Sequence, residues 1–414
     1  MGMGGVQRTS KFAKYLPLYG WLPHVLTVTP KVYLAEDYCL LDDVRKSGVK
    51  VFRTGKGLDE INGYVVVSFR KESSRKFLSN LSQTFLIPDS KIFWKKQALE
   101  LGSRIIYEND IDLIFATAPP YTDFLVGKEL KSRFDLPLVL DYRDSWADCP
   151  NNFYPTPFHK KFHTRLEEEV LRSADMIITI NERIKELITE RYDFTAEEKI
   201  SVIPQGYDPE DFAKHIADES KKKFRITYSG SFMNYYTPKY FLDALKIINE
   251  NRRDIADETE AMFIGTFPQT FVKYIKESGI ESMVTLTGYL KHSECVNKLL
   301  NSDVLWMMIN RSSMSDLHST GKLYEYFGTY KPILACVPDG VARNSLKGHN
   351  ACIITEPDDS DAIAEAIMKF FELYKSDSLP KPDNSFIEYY NRKKLTQELA
   401  EIFNSLTITS RLEV

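Results

Sequence analysis

Apolar positions along this chain follow two alternating rhythms. Short unbroken apolar runs bounded by Gly, Pro or charge predict buried strands at His24–Thr29, Val49–Arg53, Tyr64–Phe69, Asp112–Ala116, Leu136–Asp141 and Met176–Ile180. A second set follows at Phe224–Tyr228, Met262–Gly265, Val284–Gly288, Val304–Ile309, Ile333–Val337 and Ala351–Thr355. Between them, apolar residues recur at helical spacing. This predicts helices at Thr9–Tyr15, Lys71–Leu81, Trp94–Glu108, Arg165–Arg172, Asn181–Arg191, Pro238–Asn249, Asp361–Tyr374 and Ile387–Leu406. Strand and helix in regular alternation predict parallel, doubly wound α/β sheets.

The densest information lies in His318–Val337, HSTGKLYEYFGTYKPILACV. Ser319 or Thr320 can cap a short helix, Lys331-Pro332 ends it, and a buried strand follows. Leu323, Tyr326, Phe327 and Tyr330 fall on one stripe, which leaves Lys322 and Glu325 outside it. Free amides at Thr320, Gly321 and Lys322 would suit an anion, and a carboxylate one turn on can accept hydrogen bonds from a sugar hydroxyl. The alternative is a pair of solvated charges on a capped helix. The stretch is no P-loop, because Asp316 stands where the first Gly belongs and Leu follows the Gly-Lys.

Length suits two domains: 414 residues, 43% hydrophobic and 13% aromatic, with no apolar run long enough to span a bilayer. Domain one is expected over 1–212, a polar linker over 213–223 and domain two over 224–385, with a terminal helical segment at 386–414. Five scattered cysteines without C-x-x-C pairs suggest a reducing, cytoplasmic setting and no zinc site. Net charge is −4, yet residues 1–104 hold 17 Lys/Arg against 9 Asp/Glu. Basic residues stand beside aromatics at Arg75-Lys76-Phe77 and Phe93-Trp94-Lys95-Lys96, which allows peripheral contact with an anionic membrane as well as an ordinary solvated face. No recognition motif supports nucleic-acid binding.

Other candidates follow in chain order. Gly4 and Gly5 form a glycine loop suited to close approach of a phosphate or acceptor, and no strand precedes them. Asp141-Tyr-Arg143-Asp144-Ser-Trp146 ends a predicted strand, where parallel sheets bind ligands; Asp141 and Arg143 could equally staple the turn. Asp110-Ile-Asp112 reads as a solvated strand entry, not a metal motif. Glu167-Glu-Glu169 point in different directions on a helix. His292 starts a helix.

Three segments carry a resemblance. GKLYEYFGTYKPILA, Val202-Ile-Pro-Gln-Gly-Tyr-Asp208 running on to Phe212, and the Asp141–Trp146 block resemble GT-B glycosyltransferases of family 4, the group 1 type. The resemblance implies two Rossmann-like domains facing across a cleft, with the first strand of the N-terminal domain apparently missing, and a C-terminal helix crossing back. It implies a nucleotide-sugar donor on the C-terminal side, a lipid-linked or oligosaccharide acceptor on the N-terminal side, retention of configuration, and no metal or cofactor. The setting would be surface polysaccharide synthesis at the inner face of the membrane.

By position, Glu325 would hold the donor ribose, while Thr320, Gly321 and Lys322 would face the diphosphate. Tyr289 and Leu290 lie in the loop that reads the base. Gly230, Ser231 and Lys239 occupy the other phosphate-side segment, and Asp144 with Arg143 are the catalytic candidates. Two departures stand out. Leu317 replaces a Glu expected eight residues before Glu325, and Ser231 and Phe232 replace an Arg expected after Gly230; Lys322 could supply that charge. A degenerate sugar-nucleotide binder or a GT-B epimerase are the alternatives.

Overall fold

The computed structural model describes residues 4–29, 38–55, 83–149, 152–195, 197–218, 222–232, 236–311, 317 and 320–412. The strand predicted at Tyr64–Phe69 and the helix at Lys71–Leu81 lie outside these residues. The chain forms two compact units, Met1–Pro204 with Lys393–Val414, and Gln205–Arg392.

In the first unit, β1 (His24–Val28) and β2 (Lys50–Thr54) pair in parallel. A second parallel sheet has the order β3-β4-β5-β6: β3 Ile114–Ala118, β4 Leu138–Tyr142, β5 Met176–Thr179 and β6 Ile200–Val202. All five residues of β4 are buried, as expected of a strand covered on both faces. Alternate residues serve different cores. Leu138, Leu140 and Tyr142 pack with Trp146, Val170 and Leu171, whereas Val139 packs with Ile178, Ile203, Phe12, Leu395, Leu399 and Phe403. The terminal helix Arg392–Leu412 thus has its Leu395–Phe403 face in the first unit, and Trp21 Nε1 donates to Asn404 Oδ1 at 3.0 Å.

The second unit holds β7 (Phe224–Ser229), β8 (Thr259–Ile264), β9 (Val284–Gly288), β10 (Val304–Met308), β11 (Ile333–Cys336) and β12 (Cys352–Thr355). All are parallel, in the order β12-β11-β10-β7-β8-β9. Within the unit, the fourth strand therefore lies beside the first. That is the doubly wound nucleotide-binding order, and its topological switch point falls between β7 and β10.

Several expectations require correction. The described part of the segment expected as the linker, Ala213–Asp218, is hydrogen-bonded within the second unit: the amides of Ile216 and Asp218 donate to Asn297 and Asn301 at 2.8 and 2.9 Å, and Asp218 holds Arg225 at 2.8 Å. Strand β3 starts at Ile114, leaving Asp110 and Asp112 exposed ahead of it. The helix predicted over Ile387–Leu406 is two helices, Asn384–Tyr389 and Arg392–Leu412. The break arises because Tyr207 pairs with Asn391, accepting from the Arg392 amide at 2.9 Å and donating to the Tyr390 carbonyl at 3.0 Å. The glycines predicted as a loop, Gly4 and Gly5, instead open the helix Gly4–Tyr15.

Candidate active site

In the second unit, side chains converge at the carboxyl end of β7, beside the switch point. Gly230 follows the strand with φ +136°, and a Cβ there would lie 2.6 Å from Lys322 Nζ. Glycine supplies both the backbone conformation and the space for the ammonium. Gly265, φ +122°, ends β8 and lets the Gly230 carbonyl approach, since its Cβ would meet that oxygen at 2.5 Å.

Lys322 lies in the first turn of the helix Gly321–Phe327. The residue is partly exposed, but its ammonium is enclosed 3.9 Å from the centroid of the Tyr228 ring. Among the described residues, no carboxylate lies within ion-pair distance of it. Burial pushes its pKa down to about 7, against the opposing pull of Glu325 and the Cys295 thiolate form. The Cys295 thiol is itself pushed up by burial, so it is neutral. Thr320 occupies the N-cap position without capping; its hydroxyl is buried and has no partner among the described residues. Ser319, the other predicted cap, and His318 lie outside the described residues.

Glu325 accepts a hydrogen bond from His292, with Nε2 2.7 Å from Oε1. A carboxylate only accepts, so Nε2 carries the proton. Both side chains are about a quarter exposed, at 25% and 26%, which leaves the pair within reach of a ligand hydroxyl. His292 opens the helix His292–Leu300 after the β9 loop. Tyr289, 63% exposed, and Leu290 lie in that loop. The site thus offers a weakly compensated ammonium, an unpartnered hydroxyl, the first amides of a helix and an accessible carboxylate.

Two expected contributors are not brought to it. Lys239 pairs with Asp243 at 2.7 Å on the exposed face of the helix Lys239–Asn251. The Ser231 hydroxyl accepts from the Thr266 amide at 3.1 Å, tying the β7 and β8 loops together. Phe232 stacks on Tyr228 at 4.5 Å and is core, so the replaced arginine position points inward. Tyr330, predicted on the buried stripe, is 37% exposed; Tyr324 takes its place against Tyr390.

In the first unit, Asp141 does not staple to Arg143. It is fully buried and accepts from Arg8 (2.9 Å from Nη2) and from Thr117 (2.8 Å). Arg8 also donates to the Pro204 carbonyl at 2.8 Å. Arg143 donates to the Pro119 carbonyl, and Asp144 is exposed on the loop after β4. Nearby, Asp89 caps the helix Thr122–Phe134, accepting from the Thr122 amide at 3.0 Å and its hydroxyl at 2.9 Å. Asp123 beside it has a buried, unpartnered Oδ1; burial and Asp89 push its pKa up to about 7, with Arg143 opposing. Arg8, Asp123 and the His292–Glu325 pairing were missed from sequence. Asp89, in the polar turn Pro88-Asp89-Ser90-Lys91 just ahead of Trp94, was the available signal for the Asp123 cluster. Among the described residues, no group of three or more His, Cys, Asp or Glu could hold a metal ion.

Two family models match the chain: Glycosyltransferase Family 4 over residues 51–211, and Glycosyl transferases group 1 over residues 203–391. No curated protein matches it in sequence. Among solved structures, a glycosyltransferase from Rickettsia africae aligns with TM-score 0.65 at 14% identity, covering 98% of this chain and 96% of the other. HepE from Anabaena, in complex with UDP and glucose, gives 0.64 at 16%, covering 98% and 96%. Sucrose-phosphate synthase from Thermosynechococcus elongatus gives 0.64 at 13%, covering 99% and 94%. At these identities the likeness establishes the fold. Two Rossmann-like parallel-sheet units define the GT-B class. Within it, the chain belongs to the glycosyltransferases of family 4, group 1 type, and is a sugar-transferring enzyme.

Proposed function

We propose that the enzyme moves a sugar from a nucleotide-sugar donor to a lipid-linked saccharide acceptor, with retention of configuration, in surface polysaccharide synthesis. The observation that carries this reading is the convergence of Gly230, Thr320, Lys322 and the His292–Glu325 pair at the switch point of the second unit. Lys322 and the amides around Thr320 and Gly321 take the diphosphate, and Glu325 takes the ribose hydroxyls. The β9 loop at Tyr289 and Leu290 lies beside His292 and borders the base. Lys322, in place of the arginine that Ser231 and Phe232 displace, neutralises the leaving diphosphate as the glycosidic bond breaks.

Asp144 and Arg143, on the loop after β4, orient the acceptor hydroxyl in the first unit. Gly4 and Gly5, in the first turn of the leading helix, remain candidates for backbone contact with the acceptor. The reading calls for no divalent metal, and it gives Asp110 and Asp112, which precede β3 at the amino end of the strand, no part in the chemistry. No helix among the described residues is long and apolar enough to cross a membrane, and the enzyme works as a peripheral protein on the inner face.

HepE holds UDP and glucose, so UDP-glucose is the first donor to try. The test is a thermal-shift panel of UDP-, GDP-, ADP- and CDP-sugars on wild type and Glu325→Ala. A ligand that binds only the folded state raises the melting temperature. One nucleotide should stabilise the wild type and not the variant. No shift with any of them would sink the assignment of this site to the nucleotide donor, and donor conversion without acceptor incorporation would count against the proposed acceptor.

A further inference from the structure

Tyr228 is the fifth residue of β7, whose sequence FRITYS places Phe224, Ile226 and Tyr228 on the same side of the strand. All three enter the core of the second unit. There the Tyr228 ring stacks on Phe232 at 4.5 Å and lies 5.0 Å from Trp306, and the residue is 1% exposed. Packing alone asks for a phenylalanine at this position. The hydroxyl is an addition that the core does not use: it is buried and has no hydrogen-bond partner among the described residues. A buried phenol ordinarily finds one, because its lost hydration is otherwise uncompensated.

A neighbouring tyrosine shows the contrast. Tyr326, on the helix Gly321–Phe327, is equally buried, yet its hydroxyl accepts from the Ser229 amide at 2.9 Å. Gly230 shows what the Tyr228 hydroxyl faces instead. A Cβ at Gly230 would stand 3.5 Å from the Tyr228 hydroxyl oxygen and 2.6 Å from Lys322 Nζ, so both groups border one space over the glycine. The Lys322 ammonium sits 3.9 Å from the centre of the same ring. An ammonium and a phenol O–H on one border are two donors, and an oxyanion is what two such donors take together. Burial, with Tyr326 and Tyr236 adding to it, holds the phenol above its ordinary pKa. It therefore keeps its proton throughout the range in which Lys322, at about 7, loses its own.

We propose that the Tyr228 hydroxyl is a binding residue for the donor, giving a hydrogen bond to an oxygen of the diphosphate beside Lys322. The two parts of the side chain then have separate roles. The ring holds the ammonium at the end of β7 by cation–π attraction, and the hydroxyl supplies a neutral donor whose contribution does not change with pH. The inference rests on the assignment of this site to a nucleotide-sugar donor, and it adds a residue outside the segments that carry the family resemblance.

Calorimetric titration of the full chain with UDP, GDP, ADP and CDP, together with urea unfolding in their absence, tests it. Tyr228→Phe keeps the ring and removes the hydroxyl alone. It should unfold at the same or a higher urea concentration than wild type, since no partner is stranded. It should bind the diphosphate that wild type prefers roughly tenfold to a hundredfold more weakly. That loss should be equal at about pH 6 and about pH 8, leaving the decline that Lys322 imposes in place. Tyr326→Phe is the comparison, and should unfold at lower urea because it strands the Ser229 amide. Three results overturn the proposal while leaving the nucleotide site intact. Unchanged affinity in Tyr228→Phe would assign the hydroxyl to a trapped water. Destabilisation like that of Tyr326→Phe would give it a partner within the fold. A loss confined to one side of the Lys322 titration would mean that it acts through the lysine. Binding of no nucleotide by wild type would overturn both the proposal and the assignment of the site.

Discussion

His292 Nε2 donates to Glu325 Oε1 at 2.7 Å, across 33 residues of sequence, so the carboxylate proposed for the ribose is already held by a neighbour. A fixed carboxylate presents its second oxygen to a ligand without losing further rotamer freedom. Hydrogen bonds to a charged group contribute about 1.5–3 kcal/mol. Glu325→Ala should therefore weaken nucleotide binding by roughly tenfold to a hundredfold. His292→Ala should cost less, about fivefold, because it frees the carboxylate without removing it. Calorimetric titration with the stabilising nucleotide checks both. Tighter binding in His292→Ala would show that the histidine competes with the ribose and does not position its partner.

Lys322 makes donor binding depend on pH. Its pKa in the free protein is pushed down to about 7, and the groups facing it are Glu325, the neutral Cys295 thiol and the Tyr228 ring. A bound diphosphate favours the charged amine, so binding raises this pKa and takes up protons. Affinity is then flat below about pH 7 and falls as pH rises above it, by up to about tenfold per unit, until the bound-state pKa is passed. Titrations between about pH 6 and about pH 9 in buffers of different ionisation enthalpy measure both the slope and the proton uptake. Lys322→Met should bind weakly and lose the slope. A slope that survives in Lys322→Met would assign it to another group.

Gly230 ties that lysine to the sheet. A methyl group at φ +136° is strained, and it would sit 2.6 Å from the Lys322 ammonium. The flexible lysine can move aside, so the larger consequence falls on the ligand. Gly230→Ala should lose about 1–3 kcal/mol of stability and a larger share of nucleotide affinity. Denaturant unfolding, together with nucleotide titration on the folded variant, distinguishes the two effects. Unchanged affinity would mean that Lys322 does not contact the donor.

Much of this architecture was legible because it is local. The run Ile333–Ala335 and the helix before it are signalled by residues within a few positions of one another, and the strands of the second unit have boundaries within a few residues of those expected. Contacts between distant segments were not legible. Lys239 looked available because spacing cannot show that Asp243 already holds it. Ser231 and Phe232 read as a missing arginine, although the position they occupy turns into the loop and the core. His292 looked like a helix start, which it is, and only the fold carries it to Glu325. Tyr330 matched the helical period, but the helix ends at Phe327, before that period reaches it.

Another long-range relationship, the Arg8–Asp141 pair, concerns stability. The two residues are 133 apart in sequence and almost wholly buried, and Thr117 and the Pro204 carbonyl complete their hydrogen bonding. Asp141 is the penultimate residue of β4, and Arg143 and Asp144, the proposed acceptor groups, follow the strand's last residue, Tyr142, so the pair anchors that loop from beneath. Removing one partner of a buried pair strands the other charge, at a cost of about 3–5 kcal/mol. Arg8→Met and Asp141→Leu should each destabilise by that amount, and the double variant should recover a substantial part of the sum, because no buried charge is left alone. Urea unfolding of the three variants closes the cycle. A loss under about 1 kcal/mol in Arg8→Met would show that water or another group replaces the guanidinium, and the loop would need a different anchor.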